Sequence, residues 1–194
     1  MPLSSDAPNA NVDPVEITLR DGRRATVRTI CTTDADALQE AIRALSVESS
    51  YTRFFSPLHE LPPRLLERAT HPEPGSELQL VAVVDQDGRE VIIGGARYGA
   101  LPVDRDCEFA VAIVDAWHGL GLARRLLEIL IQCARERGFE RMEGYVFATN
   151  ARMLDLARRL GFMEMASTEG PAVRTVRRDL RVTPADAGKA RSAS

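Results

Sequence analysis

Cysteine, aromatic side chains and long apolar runs are all scarce in this 194-residue sequence, and each scarcity excludes something. The three cysteines, Cys31, Cys107 and Cys133, stand far apart with no Cys-x-x-Cys spacing. That leaves neither a metal site nor a disulfide framework, and it points to a reducing compartment, the cytoplasm. No apolar stretch approaches the ~20 residues needed to cross a bilayer. The opening MPLSSDAPNANVDP has no basic segment followed by an apolar one, so no secretory signal is expected. Strong net charge is missing too. At −3, the chain has no field that would draw nucleic acid or a membrane surface, and its densest basic cluster is Arg174, Arg177, Arg178 and Arg181.

What is present is a 44% hydrophobic sequence of a length that suits one domain with its own core. Residues 1–14 and 183–194 are rich in small and polar residues and read as disordered flanks, which leaves a domain over 15–182. Within it, VEITL and RATVRTI flank the turn DGR and predict a hairpin. Thr32 or Thr33 is expected to cap a helix through DADALQEAIRALS. VESSYTRFFSPLHEL reads as a loop and PPRLLERAT as a short helix. LQLVAVVD and EVIIGGARYG, joined by QDGR, predict a second hairpin, and CEFAVAIVD a strand. The apolar spacing of Leu122, Leu126, Leu127, Leu130 and Ile131 predicts a long helix ending near Gly138. RMEGYVFA, NARMLDLARRLGF and VRTVRRDL then read as strand, helix and strand. The expectation is an α+β (mixed α/β) domain with about four helices and a parallel crossover in its C-terminal half.

Chemistry concentrates where the strand from Phe109 runs into Gly119 and Gly121 and a long helix begins. The first amides of a helix lack internal acceptors and sit at the positive end of its dipole. Glycines let backbone approach a phosphate closely. Ala123-Arg124 stands where a Walker A loop needs Lys-Ser/Thr, and Arg124 where a Rossmann turn needs its third glycine. From the glycines alone, a pyrophosphate site and a plain packing turn are equally supported.

Taken together with the segments downstream of it, the turn resembles the GCN5-related N-acetyltransferase (GNAT) family. His118-Gly-Leu-Gly121-Leu-Ala123 matches that family's coenzyme A loop, Gln/Arg-x-x-Gly-x-Gly/Ala, with His in the first place. Asn150 followed by a helix and Leu160-Gly161-Phe162 matches a second family block, in the same order and separation. SSYTRFFSPLHELPP, GGARY and EFAVAIVDAWHGLGLARRLLE further resemble the catalytic domain of bacterial Pat-type protein lysine acetyltransferases, over roughly residues 25 to 165. Such proteins usually carry a regulatory or synthetase-like domain. This length leaves no room for one, and no nucleotide control is expected.

The resemblance implies a central, mostly antiparallel sheet with one splayed parallel strand pair, acetyl-CoA as co-substrate and no metal. It implies Glu108 as the general base, because an amine with pKa ~10.4 must lose a proton before attacking a thioester. Backbone groups of Val111, Ala112 and Ile113 would hold the pantetheine arm and polarise the thioester carbonyl. His118, Gly119, Leu120, Gly121, Leu122, Ala123 and Arg124 would hold the pyrophosphate. Arg125 is either a further charge there or a solvated helix residue. Asn150 is either a pantetheine contact or an N-cap. Ala157 stands where many family members have a thiolate-protonating Tyr, an absence that Pat-type domains tolerate. Tyr51 and Arg53 border the acceptor groove; the loop aromatics suggest a buried anchor or a substrate wall, with Phe54 and Phe55 read as anchors, and Cys107 reads as core. The acceptor is a primary amine. The subfamily implies a protein lysine, for example on an acyl-CoA synthetase, with a small amine (polyamine, amino acid, antibiotic) or a non-catalytic acyl-CoA sensor as alternatives. The assembly is expected to be a monomer or homodimer.

Overall fold

The computed structural model describes residues 12–56, 58–102 and 105–181. Two antiparallel hairpins open the chain's sheet: β1 (Val15–Thr18) with β2 (Arg24–Thr29), and β3 (Glu77–Gln86) with β4 (Arg89–Ala100). The second closes on Asp87 and Gly88 at φ 55° and 82°, the paired left-handed turn that the sequence Asp-Gly favours. β5 (Asp106–Ile113) is followed by α4 (Leu122–Glu136), β6 (Arg141–Phe147), α5 (Ala151–Arg159), β7 (Met163–Ala166) and β8 (Val173–Asp179). α1 (Ala35–Arg43), α2 (Val47–Phe54) and α3 (Pro63–Thr70) lie between the hairpins. The eight strands run β1-β2-β3-β4-β5-β6-β8-β7, and every neighbouring pair is antiparallel except β5 with β6.

The sheet is covered on both faces. α4 and α5 bury Leu126, Leu127, Leu130 and Ala157 against Leu78, Leu80, Tyr98 and Phe109. The other face, over β2–β5, is roofed by α1 and α3, with Leu38, Ile42 and Leu61 against Val81, Val83 and Ile92. Cys107 lies in the first core, and burial pushes its thiol up to about 12, which makes it a packing residue and not a nucleophile. Among the described residues no helix is long and apolar enough to cross a membrane.

Four expectations change. The stretch read as a loop holds α2, so the described residues contain five α-helices. Val47–Phe54 is poor in strong helix formers, but the Ser46 hydroxyl accepts from the Ser49 amide and caps it. Neither Thr32 nor Thr33 caps α1. A short 3₁₀ turn (Thr32–Asp34) precedes it, and the Asp34 carboxylate accepts from the Cys31 amide at 2.7 Å and from Arg28 at 2.7 and 3.0 Å. β7 escaped notice because all four of its residues are exposed and it pairs only with β8, so no buried period of two marks it. Phe55 is exposed and no buried anchor. The expected disordered flanks fall mostly outside the described residues. At their inner edge the Val12 amide donates to Thr29 Oγ1 at 2.9 Å.

Candidate active site

The parallel ladder between β5 and β6 is short. Asp106 faces Arg141, Cys107 faces Met142 and Glu108 faces Glu143, and beyond that pair the strands part. A wedge explains the parting. The Phe109 ring packs on Phe162 at 5.1 Å and covers Gly144 so closely that a Cβ there would lie 2.6 Å from it. Only glycine fits beneath the ring. The cleft edge of β5 follows from strand alternation. Val114 donates to the Ile93 carbonyl and Asp106 accepts from Leu101, so even-numbered backbone groups face β4. Val111 and Ile113 then turn theirs to the cleft, whereas Ala112 is paired with Gly95 on β4. The expected backbone contact at Ala112 is therefore on the wrong edge, though its side chain faces the helices that roof this sheet face.

The loop after β5 closes the cleft. Gly119 and Gly121 adopt φ 76° and 85°, a left-handed geometry that glycine takes without strain. Among the described residues the amides of Gly119 through Arg124 donate to no protein acceptor, and Arg125 is the first to bond back, to the Gly121 carbonyl at 3.2 Å. Six adjacent donors at a helix start make an anion site. The loop is braced from several sides. The Arg20 amide donates to the Leu120 carbonyl at 3.1 Å and its guanidinium to the Gly119 carbonyl at 3.3 Å. Arg23 lies 3.8 Å over the buried Trp117 ring. The His118 Nε2 contacts the Ile113 carbonyl at 2.9 Å, so this side chain stiffens the strand end while its backbone enters the loop. Arg124 and Arg125 both bond Glu128, at 2.8 and 2.9 Å. The Asn150 carbonyl oxygen accepts from the Met153 amide at 3.1 Å, which realises the capping alternative.

On the opposite face a charged group surrounds Glu108. Glu108 itself is exposed, and its neighbour Glu143 is buried and held by the Arg177 guanidinium at 2.7 and 3.0 Å. Partial burial pushes the Glu108 carboxyl up. Arg97 pulls it back, Glu143 pushes it further up and Arg53 pulls it down, leaving it raised overall. Tyr145, one turn of the strand pattern beyond Glu143, is raised by burial and by both carboxylates. α2 borders this face. Tyr51 stacks on Phe147 with centroids 5.2 Å apart and Phe55 lies 4.6 Å from the same ring, so an aromatic wall joins α2 to β6. Asp115 ties α2 to the segment leading into the Gly119–Gly121 loop by accepting from the Ser46 amide at 2.9 Å and from the Ser46 and Ser49 hydroxyls at 2.7 and 2.9 Å.

The structure thus gathers Glu108, Tyr51 and Arg53 on one side of the sheet end, and Val111, Ile113, His118–Arg124 and Asn150 around the parted strands. Sequence reading missed Glu143, Arg177, Arg97, Asp115 and the Arg20 brace. A signal existed for one of them. In RMEGYVF the buried Met142, Gly144 and Val146 alternate with Glu143, Tyr145 and Phe147, which places Glu143 on the same face as Glu108 once the register is known.

Known proteins resemble this chain in sequence and fold. The sequence model of the Acetyltransferase (GNAT) family matches residues 42–162. Acetyltransferase PA5475 of Pseudomonas aeruginosa is 34% identical over 145 residues, 75% of this chain and 78% of that protein. The GNAT domain of S. lividans PAT superposes with a TM-score of 0.77 at 31% identity, over 86% of this chain and 96% of that one. YncA of Salmonella typhimurium, solved with its cofactor acetyl-CoA, shares the fold with a TM-score of 0.66 at 22% identity, over 82% and 96%. This chain belongs to the GNAT family and is an acyl-CoA-dependent N-acetyltransferase.

Proposed function

We propose that the protein transfers an acetyl group from acetyl-CoA to a primary amine, a protein lysine side chain, with Glu108 as general base. The observation that carries the reading is the row of uncommitted amides from Gly119 to Arg124 at the mouth of the parted strands. These donors suit a diphosphate. The cleft edge of β5 offers the Val111 N–H to a thioester carbonyl. Acetyl-CoA in the related fold of YncA supports the coenzyme.

Glu108 is the exposed carboxylate at the last ladder pair, where the strands begin to part. Its raised pKa makes it a better proton acceptor than an ordinary carboxylate. The substrate ammonium gives one proton to Glu108, directly or through water. Its nitrogen then bonds the acetyl carbon, the C–S bond breaks, and the departing thiolate takes the second proton from that nitrogen, directly or through water, leaving the neutral amide and the coenzyme thiol. Ala157 is fully buried in the core, so no tyrosine acid acts from that position. The resemblance of SSYTRFFSPLHELPP, GGARY and EFAVAIVDAWHGLGLARRLLE to Pat-type protein lysine acetyltransferases supports a lysine acceptor. Free cysteines, with Cys31 exposed, suit the cytoplasm.

The test is calorimetric titration with acetyl-CoA beside coenzyme release in the presence of a lysine peptide. Tight coenzyme binding with amine-dependent release is expected. Binding without release for any amine would instead identify a sensor, and no binding would remove the reading altogether.

A further inference from the structure

An apolar cavity of about 220 Å³ lies between α1, α2, α3 and the sheet, next to the Glu108 side of the site. Its existence follows from residue size. The floor is Gly95, Ala110 and Ala112, while Leu38, Ile42 and Leu61 form the roof. A Cβ on Gly95 would lie 2.8 Å from the Leu80 carbonyl, so that floor position admits no side chain.

Charge in this cavity is one-sided. Three guanidiniums line it, from Arg53, Arg68 and Arg97. Among the described residues the one carboxylate bonded to any of them is Glu77, which takes Arg68 at 2.7 Å and Arg97 only at 3.4 Å, through the same oxygen. Arg53 has no hydrogen bond or ion pair among the described residues, and rests 4.8 Å over the Phe54 ring. Surrounding protein, then the charge of Arg97, bring its pKa down to about 10 despite the opposing pull of Glu108. Arg53 is only partly buried, and with no acceptor bonded to it among the described residues its guanidinium donors are open to a ligand anion.

We propose that this cavity binds a small aliphatic carboxylate, its acid group held by Arg53 and Arg97 and its carbon chain lying among Leu38, Ile42 and Leu61. Charge complementarity sets the head group, since planar guanidiniums match a carboxylate's two oxygens. The volume, below the ~300–1,000 Å³ typical of drug-sized ligands, sets a small body. The inference deepens the reading of Glu108 as the base in one respect: with that reading, the small-amine alternative narrows to amines that also bear a carboxylate.

The test uses the full chain and 4-methylpentanoate as probe, titrated by calorimetry without coenzyme. Saturable binding is expected, with the isosteric 4-methylpentanamide at least tenfold weaker. Arg53→Met and Arg97→Met should each weaken the acid about tenfold or more and leave the amide unchanged. Equal binding of acid and amide, no binding of either, or unchanged acid affinity in both variants overturns the proposal. The acid–amide comparison needs no variant, so it stands even if a substitution unfolds the chain. Acetyl-CoA affinity, measured on the same samples, reports the coenzyme reading independently.

Discussion

Glu108 and Glu143 stand side by side on β5 and β6 as the last pair before these strands part. The two carboxylates differ in surroundings. Glu143 is buried and held by Arg177, whereas Glu108 is exposed and has Arg97, Arg53 and Glu143 as its charged neighbours. Burial, with the charge of Glu143 added, holds the Glu108 carboxyl above its ordinary value against the opposing pull of Arg97 and Arg53.

Glu108→Gln is expected to lower kcat by about 10²–10⁴-fold and leave acetyl-CoA affinity unchanged. A Gln variant that turns over like the wild type at neutral pH would remove Glu108 from the mechanism.

The pH profile carries the same relationship. A base works ionised, so kcat should fall with decreasing pH through a value above the ordinary glutamate range, because the Glu108 carboxyl is raised. Glu143→Gln removes a neighbouring negative charge and leaves Arg177 uncompensated, so the acid limb should move to lower pH. Arg97→Met removes a stabilising cation and should move it to higher pH. Rate profiles of the three proteins decide the matter, and shifts in the opposite directions would refute the electrostatic account.

Gly144→Ala places a Cβ against the Phe109 ring. Overpacking of this kind costs about 1–3 kcal/mol, and at this chain length the melting temperature should drop about 2–4 °C per kcal/mol. The double variant with Phe109→Leu should regain part of that loss. Thermal denaturation reads both, and a fully additive double variant would show that the ring is not the obstacle.

Gly119→Ala tests the coenzyme turn separately from packing, since nothing lies within 4 Å of the added methyl while φ remains 76°. The left-handed backbone costs an L-residue roughly 1–2 kcal/mol. If the loop relaxes to avoid it, the amides lose alignment, and acetyl-CoA should bind several-fold more weakly in calorimetry with the fold retained.

Asp115→Ala frees α2 from the loop by removing three hydrogen bonds. A loss of about 1–2 kcal/mol is expected, with faster hydrogen exchange in α2. Burial pushes the Asp115 carboxyl up, but the bonds from Ser46 and Ser49 outweigh it and leave the carboxyl below its usual range. Its contribution is therefore complete above the unfolded value of ~3.9 and disappears as pH falls through the lower folded value. Denaturation of wild type and variant at neutral and strongly acid pH should converge at the acid end.

Much of the fold was legible because its signals are local. The Asp-Gly turn, the apolar stripe of α4 and the paired glycines before it each act within a few residues, so composition and spacing determined the hairpins, the helix and the glycine turn that precedes it. The order of the two blocks around Gly119 and Asn150 determined the family. Other features need partners distant in sequence. α2 is helical although Ser, Thr, Tyr and Val are indifferent helix formers, and its start is fastened by Asp115, 69 residues from Ser46. Which glutamate neighbours Glu108 depends on strand register, and which edge of β5 faces the cleft depends on the hydrogen bonds to β4. Arg53, without a hydrogen bond or ion pair among the described residues, lines a cavity whose walls come from three helices and from Gly95, Ala110 and Ala112 of the sheet. Backbone conformation is a property of neighbouring residues and can be read along the chain. The electrostatics of the site depend on distances between residues far apart in it, and only the packed tertiary structure set those.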